Sequence, residues 1–191
     1  MTLLAELVQA SERVGATAAR RVKVSELASL LKSLTDDEID IGVHYLSGEI
    51  PQGKIGIGYA AVRAAASTSP AGLAALSIAD VDRSLSELDG IRGSGSAALR
   101  AAALKELFSR STGPEQQFLL RLLIGELRQG ALAGVMVDAI AAAAELPVAA
   151  VRRAAMYSKS LGAVASAALR EGAEALAKFQ LELVSPVLQQ S

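Results

Sequence analysis

The chain has no cysteine, no tryptophan, a single histidine and only five prolines. Without cysteine there is neither a disulfide framework nor a thiolate zinc site, and one histidine cannot build a histidine metal cluster. A lone helical histidine such as His44 is far more often a packed or surface residue than a catalytic one. Aromatic residues make up 3% of the 191 residues while 51% are hydrophobic. The core must therefore come from Leu, Ile, Val and Ala, which suits close helix packing. A charge excess of either sign is also missing. The formal net charge is −1 and the sequence pI is near 5.9, which argues against a uniformly basic nucleic-acid binder. The most apolar stretch, 131–151, is broken by Asp138, Glu145 and Pro147, so it reads as two core helices and not as a membrane span. The first residues, Met1 to Glu6, carry no basic leader, and a soluble cytoplasmic protein is expected.

What the sequence does have is one passage written twice. Residues 38–53, from Glu38 through His44, Gly48 and Glu49 to Gln52 and Gly53, return as residues 115–130, from Glu115 through Arg121, Gly125 and Glu126 to Gln129 and Gly130. The offset is constant, since 115 − 38 and 130 − 53 are both 77. Each copy is an apolar helix running into Gly-Glu-(Ile/Leu)-x-Gln-Gly, with an alanine-rich helix after it. The helix starts agree too. Thr35 with Glu38, and Thr112 with Glu115, have capping-box spacing, in which the Thr hydroxyl and the Glu carboxylate each take an orphan N–H. A duplicated loop can offer two similar backbone surfaces to a ligand that is itself repeated, as duplex DNA is.

The remaining pattern is helical throughout. Leu3, Leu4 and Leu7 open one amphipathic segment, and Val22 to Leu34 form a second at three-to-four spacing. Further helices are predicted near 37–47, 57–66, 79–88, 97–110, 114–124, 134–145, 148–158 and 160–177, with Gly130, Gly134 and Gly162 as interruptions. A polar break at 67–72 is the boundary between halves. The fold class is therefore all-α: a compact bundle of about ten to twelve helices with an internal pseudo-two-fold repeat, the halves lying at about 22–67 and 97–146. One domain over 1–180 is expected, and 181–191, with Pro186, reads as an exit linker.

Three elements are suited to a polyanion. In Gly90-Ile91-Arg92-Gly93-Ser94-Gly95-Ser96 the glycines free backbone N–H groups at a helix start, Ser96 is the expected N-cap, and Arg100 stands one turn in. An ordinary flexible linker ahead of a capped helix is an equal reading. The other two are the duplicated loops, where Gly53 and Gly130 permit close backbone approach and Lys54 and Arg128 bring cations. A repeated helix C-cap without a ligand is the bland alternative for these. Arg152, Arg153 and Lys159 read as a solvated face. Glu49 and Glu126 as an acid/base pair is a remote idea, since no aromatic sugar platform accompanies them.

Three passages carry a family resemblance. They are Tyr45 to Tyr59 (with Gly48-Glu49-Ile50-Pro51-Gln52-Gly53-Lys54), Gly93-Ser94-Gly95-Ser96 with Arg100, and Phe118 to Gly130 (with Gly125-Glu126-Leu127-Arg128-Gln129-Gly130). Val151 to Met156 fits as well. Together they resemble the N-terminal DNA-binding domain of ATP-dependent DNA ligases of the bacterial, actinobacterial type, over nearly the whole chain. The resemblance implies a helical module that sits on the minor groove opposite a nick and grips both strands largely without reading sequence, in repair, replication and recombination. It implies contacts by Gln52, Gly53 and Lys54, by Arg92, Gly93, Ser94, Gly95, Ser96 and Arg100, and by Arg128, Gln129 and Gly130. Ligation needs a lysine within Lys-x-Asp-Gly, and none of the six lysines has it; Glu87-Leu88-Asp89-Gly90 has a carboxylate in its place. The chain is thus expected to catalyse nothing by itself and to hold no cofactor. ATP and Mg2+ belong to the parent enzyme, and the implied partners are nicked duplex DNA and the adenylation and OB-fold domains. A monomer in the bacterial nucleoid is expected. The rival reading is a helical-repeat module for protein–protein interaction, suggested by a mean hydropathy of +0.36.

Overall fold

The computed structural model describes residues 1–127 and 132–182. Among these, eleven helices follow one another: α1 (Leu4–Gly15), α2 (Arg20–Ser33), α3 (Ile39–Leu46), α4 (Tyr59–Ala66), α5 (Ile78–Gly90), α6 (Ser96–Ser109), α7 (Gly113–Leu123), α8 (Leu132–Ala144), α9 (Val148–Tyr157), α10 (Leu161–Arg170) and α11 (Ala173–Glu182). The only extended pairing among the described residues is an isolated antiparallel bridge between Leu3 and Ser77. The class is all-α.

Apolar spacing explains which faces are buried. In α1, Leu4, Leu7, Val8 and Val14 fall on one stripe and are all buried. In α8 the small side chains Ala139, Ala141 and Ala143 are buried beside Val135, Met136 and Ile140, which lets α2 lie close along it. With so few aromatics, only Tyr45 and Phe108 are large rings that are fully buried. α3 packs on α10, α4 on both α6 and α7, and α11 on α9.

The chain start is sewn into the middle. Leu4 N–H donates to the Leu76 carbonyl at 2.8 Å and Ile78 N–H to the Thr2 carbonyl at 3.0 Å. Thr2 in turn gives its N–H and its hydroxyl to the carboxylate of Glu38, both at 2.7 Å. α5 opens with a complete capping box: Ser77 Oγ accepts from Asp80 N–H and the Asp80 carboxylate accepts from Ser77 N–H, each at 3.0 Å.

Several boundaries differ from those the sequence suggested. The segment 160–177 is two helices, parted at Gly172 with φ 81°. Gly134 and Gly162 interrupt nothing and lie inside α8 and α10. A Cβ at Gly162 would sit 3.0 Å from the backbone oxygen of Asp40 and closer still to its Oδ1, so this glycine is what lets α10 approach α3. The N-cap of α6 is Gly95, in the left-handed region at φ 74°, and not Ser96, which is the first helical residue. The two helix starts differ: Thr112 is the N-cap of α7 and forms a capping box with Glu115, whereas α3 begins at Ile39 with Glu38 as its N-cap, and Thr35 N–H merely donates to Glu38 Oε2 at 3.1 Å, as Thr112 N–H does to Glu115 Oε2 at 2.7 Å. Both glutamates are buried. Of the expected exit linker, residues 181 and 182 finish α11 and the rest lies outside the described residues.

Candidate nucleic-acid interface

The repeat is a matched pair of helix C-caps. In the first copy Gly48 takes φ 78°, its N–H donates to Tyr45 O at 3.1 Å, and Glu49 N–H donates to His44 O at 2.9 Å. In the second, Gly125 takes φ 79°, its N–H donates to Leu122 O at 3.3 Å, and Glu126 N–H donates to Arg121 O at 2.9 Å. Each bond has its counterpart 77 positions on, since 122 − 45 and 121 − 44 are both 77. This is the Schellman arrangement, a 6→1 bond with a 5→2 bond around a left-handed glycine. The repeated glycine is what the cap requires, while the glutamate after it enters the cap only through its backbone N–H. Glu49 and Glu126 are both exposed, whereas a carboxyl serving as a general acid has to be desolvated against an apolar wall.

The two caps meet across one cleft of about 480 Å³, lined by Gly48 and Glu49, by Gly53 to Ile57, and by Leu122 to Gly125. Val62 of α4 forms part of the floor. The first loop brings to this rim Gly53, with φ 70° and an exposed backbone, and Lys54, also exposed. Tyr59, at the start of α4, is 62% exposed and carries the Arg63 guanidinium over its ring at 5.8 Å.

The glycine-serine loop joins the same region through one side chain. Arg100 Nη2 donates to the Ile91 carbonyl at 2.5 Å, while its Nη1 edge lies 3.2 Å from where a Cβ on Gly56 would stand. Arg100 therefore ties α6 to the loop 91–95 and lies close beside Gly56 of the first duplicated loop. Gly93 and Gly95 have φ of 89° and 74°, values that only glycine accepts cheaply, and Gly93, Ser94 and Gly95 are exposed. Arg92 folds back on the end of α5, with Nη1 donating to the carbonyls of Asp89 and Ile91 and Nη2 lying 3.9 Å from Asp89 Oδ1. A cation over those carbonyls offsets the negative end of the helix.

Gln52 is placed differently from its neighbours. Its side chain turns inward to α5, with Nε2 donating to Asp82 Oδ1 at 2.8 Å, to Asp82 O at 3.2 Å and to Ser86 Oγ at 2.8 Å. Beside Asp82 stands the fully buried Tyr45, whose hydroxyl is pushed well above the ordinary phenol range by burial and then by the Asp82 carboxylate. Sequence reasoning did not single out Asp82, Ser86 or Tyr45 as parts of this site.

Arg128, Gln129 and Gly130 lie outside the described residues. Of the other cations, Arg152 lies 3.8 Å from Asp138 Oδ1, a carboxylate it shares with Arg20 at 2.7 Å. Lys159 is exposed at the rim of a second cleft of about 390 Å³, with His44, Ser160 and Leu132. The His44 ring is half-buried and its Nδ1 lies 2.8 Å from the Asp40 carbonyl. Among the described residues no group of His, Cys, Asp or Glu could hold a metal ion, and no helix is long and apolar enough to cross a membrane.

The chain matches the family described as DNA ligase N terminus over residues 59–141. It is 50% identical over 185 residues to a "Probable DNA ligase" of Anaeromyxobacter sp. (strain Fw109-5), covering 96% of this chain and 36% of that protein. A protein of the same name from Rhodococcus opacus (strain B4) is 50% identical over 185 residues, with 97% of this chain and 37% of the relative covered. A third, from Mycolicibacterium gilvum (strain PYR-GCK), is 47% identical over 194 residues, with 99% and 37% covered. The chain thus spans little more than a third of the length of these curated relatives.

Proposed function

The chain belongs to the DNA ligase N-terminal family, and on that premise we propose that it is the duplex-gripping module of a longer, ATP-dependent ligase. It holds nicked DNA by minor-groove and phosphate contacts to both strands without reading sequence, and presents the nick to the adenylation and OB-fold domains of the same polypeptide. No lysine of this chain stands in Lys-x-Asp-Gly, the motif that the adenylation step of such a ligase needs.

The observation that carries this reading is the pair of matching caps opening on one cleft, with Arg100 binding the glycine-serine loop to the same rim. Two like caps beside each other suit a ligand with two like strands. Exposed left-handed glycines let backbone N–H groups come close to phosphates.

A fluorescence-anisotropy titration of a labelled nicked duplex tests the reading. If about six phosphates are neutralised, affinity falls about a thousandfold between roughly 50 and 200 mM salt. Arg128→Ala weakens binding to all duplex sequences about equally. Absence of binding at the lower salt, or a loss confined to some sequences, overturns it.

A further inference from the structure

The resemblance assigns Gln52 to the DNA, but its amide nitrogen is committed to the protein and its amide oxygen is buried away from the surface. A primary amide nitrogen has two hydrogens, and Gln52 Nε2 already faces three acceptors at 2.8 to 3.2 Å: the Asp82 carboxylate and carbonyl and the Ser86 hydroxyl. The residues that follow point the other way, since Gly53 turns at φ 70° and Lys54 is exposed. The tether also has a firm base. Asp82 belongs to α5, whose start is fixed by the Ser77–Asp80 box.

We propose that Gln52 is the positioning residue of the first duplicated loop: anchored on Asp82 and Ser86, it holds Gly53 and Lys54 in the conformation that meets DNA, and does not touch DNA itself. The inference rests on the DNA-binding reading above and assigns Asp82, a carboxylate, a role in binding a polyanion. A loop ordered before binding loses less freedom on binding. Asp82 thereby aids affinity although its charge opposes that of the ligand.

This opposition supplies the test. In the full chain, Gln52→Ala, Asp82→Ala and the double variant are titrated against a labelled nicked duplex at low salt. On charge alone, removing Asp82 tightens binding. Positioning requires the reverse: Asp82→Ala weakens binding severalfold, Gln52→Ala about tenfold, as for the loss of one charge-assisted hydrogen bond, and the double variant no more than Gln52→Ala alone. Thermal melting of each variant near the wild-type value keeps unfolding out of the comparison. Tighter or unchanged binding in Asp82→Ala, with a loss in Gln52→Ala, makes Gln52 a direct contact and overturns the proposal. Amide hydrogen exchange of Gly53 to Gly56 in the DNA-free protein separates this from the parent reading. Faster exchange there in both single variants is expected even if no DNA binds, and unchanged exchange overturns the tether by itself.

Discussion

Arg100 Nη2 donates to the carbonyl of Ile91, nine residues back in the chain, at 2.5 Å. The other edge of the same guanidinium lies against Gly56. A planar fork can serve two loops at once in a way that an ammonium cannot. Arg100→Ala is therefore expected to cost about 2 kcal/mol of folding stability, in the range for a charged hydrogen bond with its packing, and to weaken DNA binding. Arg100→Lys should keep the charge and regain little of either. Urea denaturation and DNA titration of both variants measure this, and a Lys variant that matches wild type in DNA affinity would reduce Arg100 to a point charge.

Gly48 and Gly125 hold the same backbone angle, φ 78° and 79°, in the same cap. Replacing either by Ala forces a Cβ into the left-handed region, at about 1 to 2 kcal/mol. No neighbour lies within 4 Å of the added carbon at Gly125, so the penalty there is purely conformational. The two variants should lose stability equally, within about 0.5 kcal/mol, and additively when combined. Midpoints of chemical denaturation give the comparison. A much larger loss at Gly48 would mean that packing, and not the cap, fixes that glycine.

Glu38 titrates below its ordinary value of 4.5: burial pushes the pKa up, and the hydrogen bonds from the Thr2 hydroxyl and N–H and from Thr35 outweigh it. A carboxyl whose folded pKa is depressed stabilises the fold above its unfolded pKa and loses that contribution as pH falls through the folded one. Wild-type melting temperature should thus decline as the pH drops below about 4.5. Glu38→Gln should be less stable near neutrality and should show a shallower decline. Melting curves between about pH 3 and 7 decide it, and parallel curves for the two proteins would remove Glu38 from the acid transition.

Gly162→Ala is expected to destabilise by about 1 to 3 kcal/mol, because the new methyl meets Asp40 Oδ1 and its backbone oxygen. The same change at Gly113, where nothing lies within 4 Å of the added carbon, is a control for substitution as such. A calorimetric scan of both answers the question. Equal melting temperatures would mean that α3 and α10 slide apart without penalty.

The helices were legible wherever burial and spacing agree. Val22 to Leu34 mark α2, although its helical span begins at Arg20. The double cap was legible as a repeat, and its Gly-Glu could be read as a C-cap because a left-handed glycine is a local requirement. What a glycine does elsewhere depends on the rest of the fold. Gly162 sits within α10 because α3 needs the room, while Gly172, at φ 81°, is the true break. The pattern of one segment cannot tell these apart. Glu38 likewise has capping-box spacing to Thr35, but nothing local announces Thr2 as its partner 36 positions away. Gln52 shows the same limit at the site, since its direction is set by Asp82, thirty residues later.

The caps at Gly48 and Gly125 fix where the chain leaves α3 and α7, and Val62 of α4 and Leu122 of α7, two helices in contact, both line the cleft between them. The spacing of the two loop exits is therefore set by apolar packing behind the rim, and on the proposed DNA-binding reading a change of bulk at Val62 or Leu122 is expected to alter the span offered to a duplex while leaving every rim residue in place.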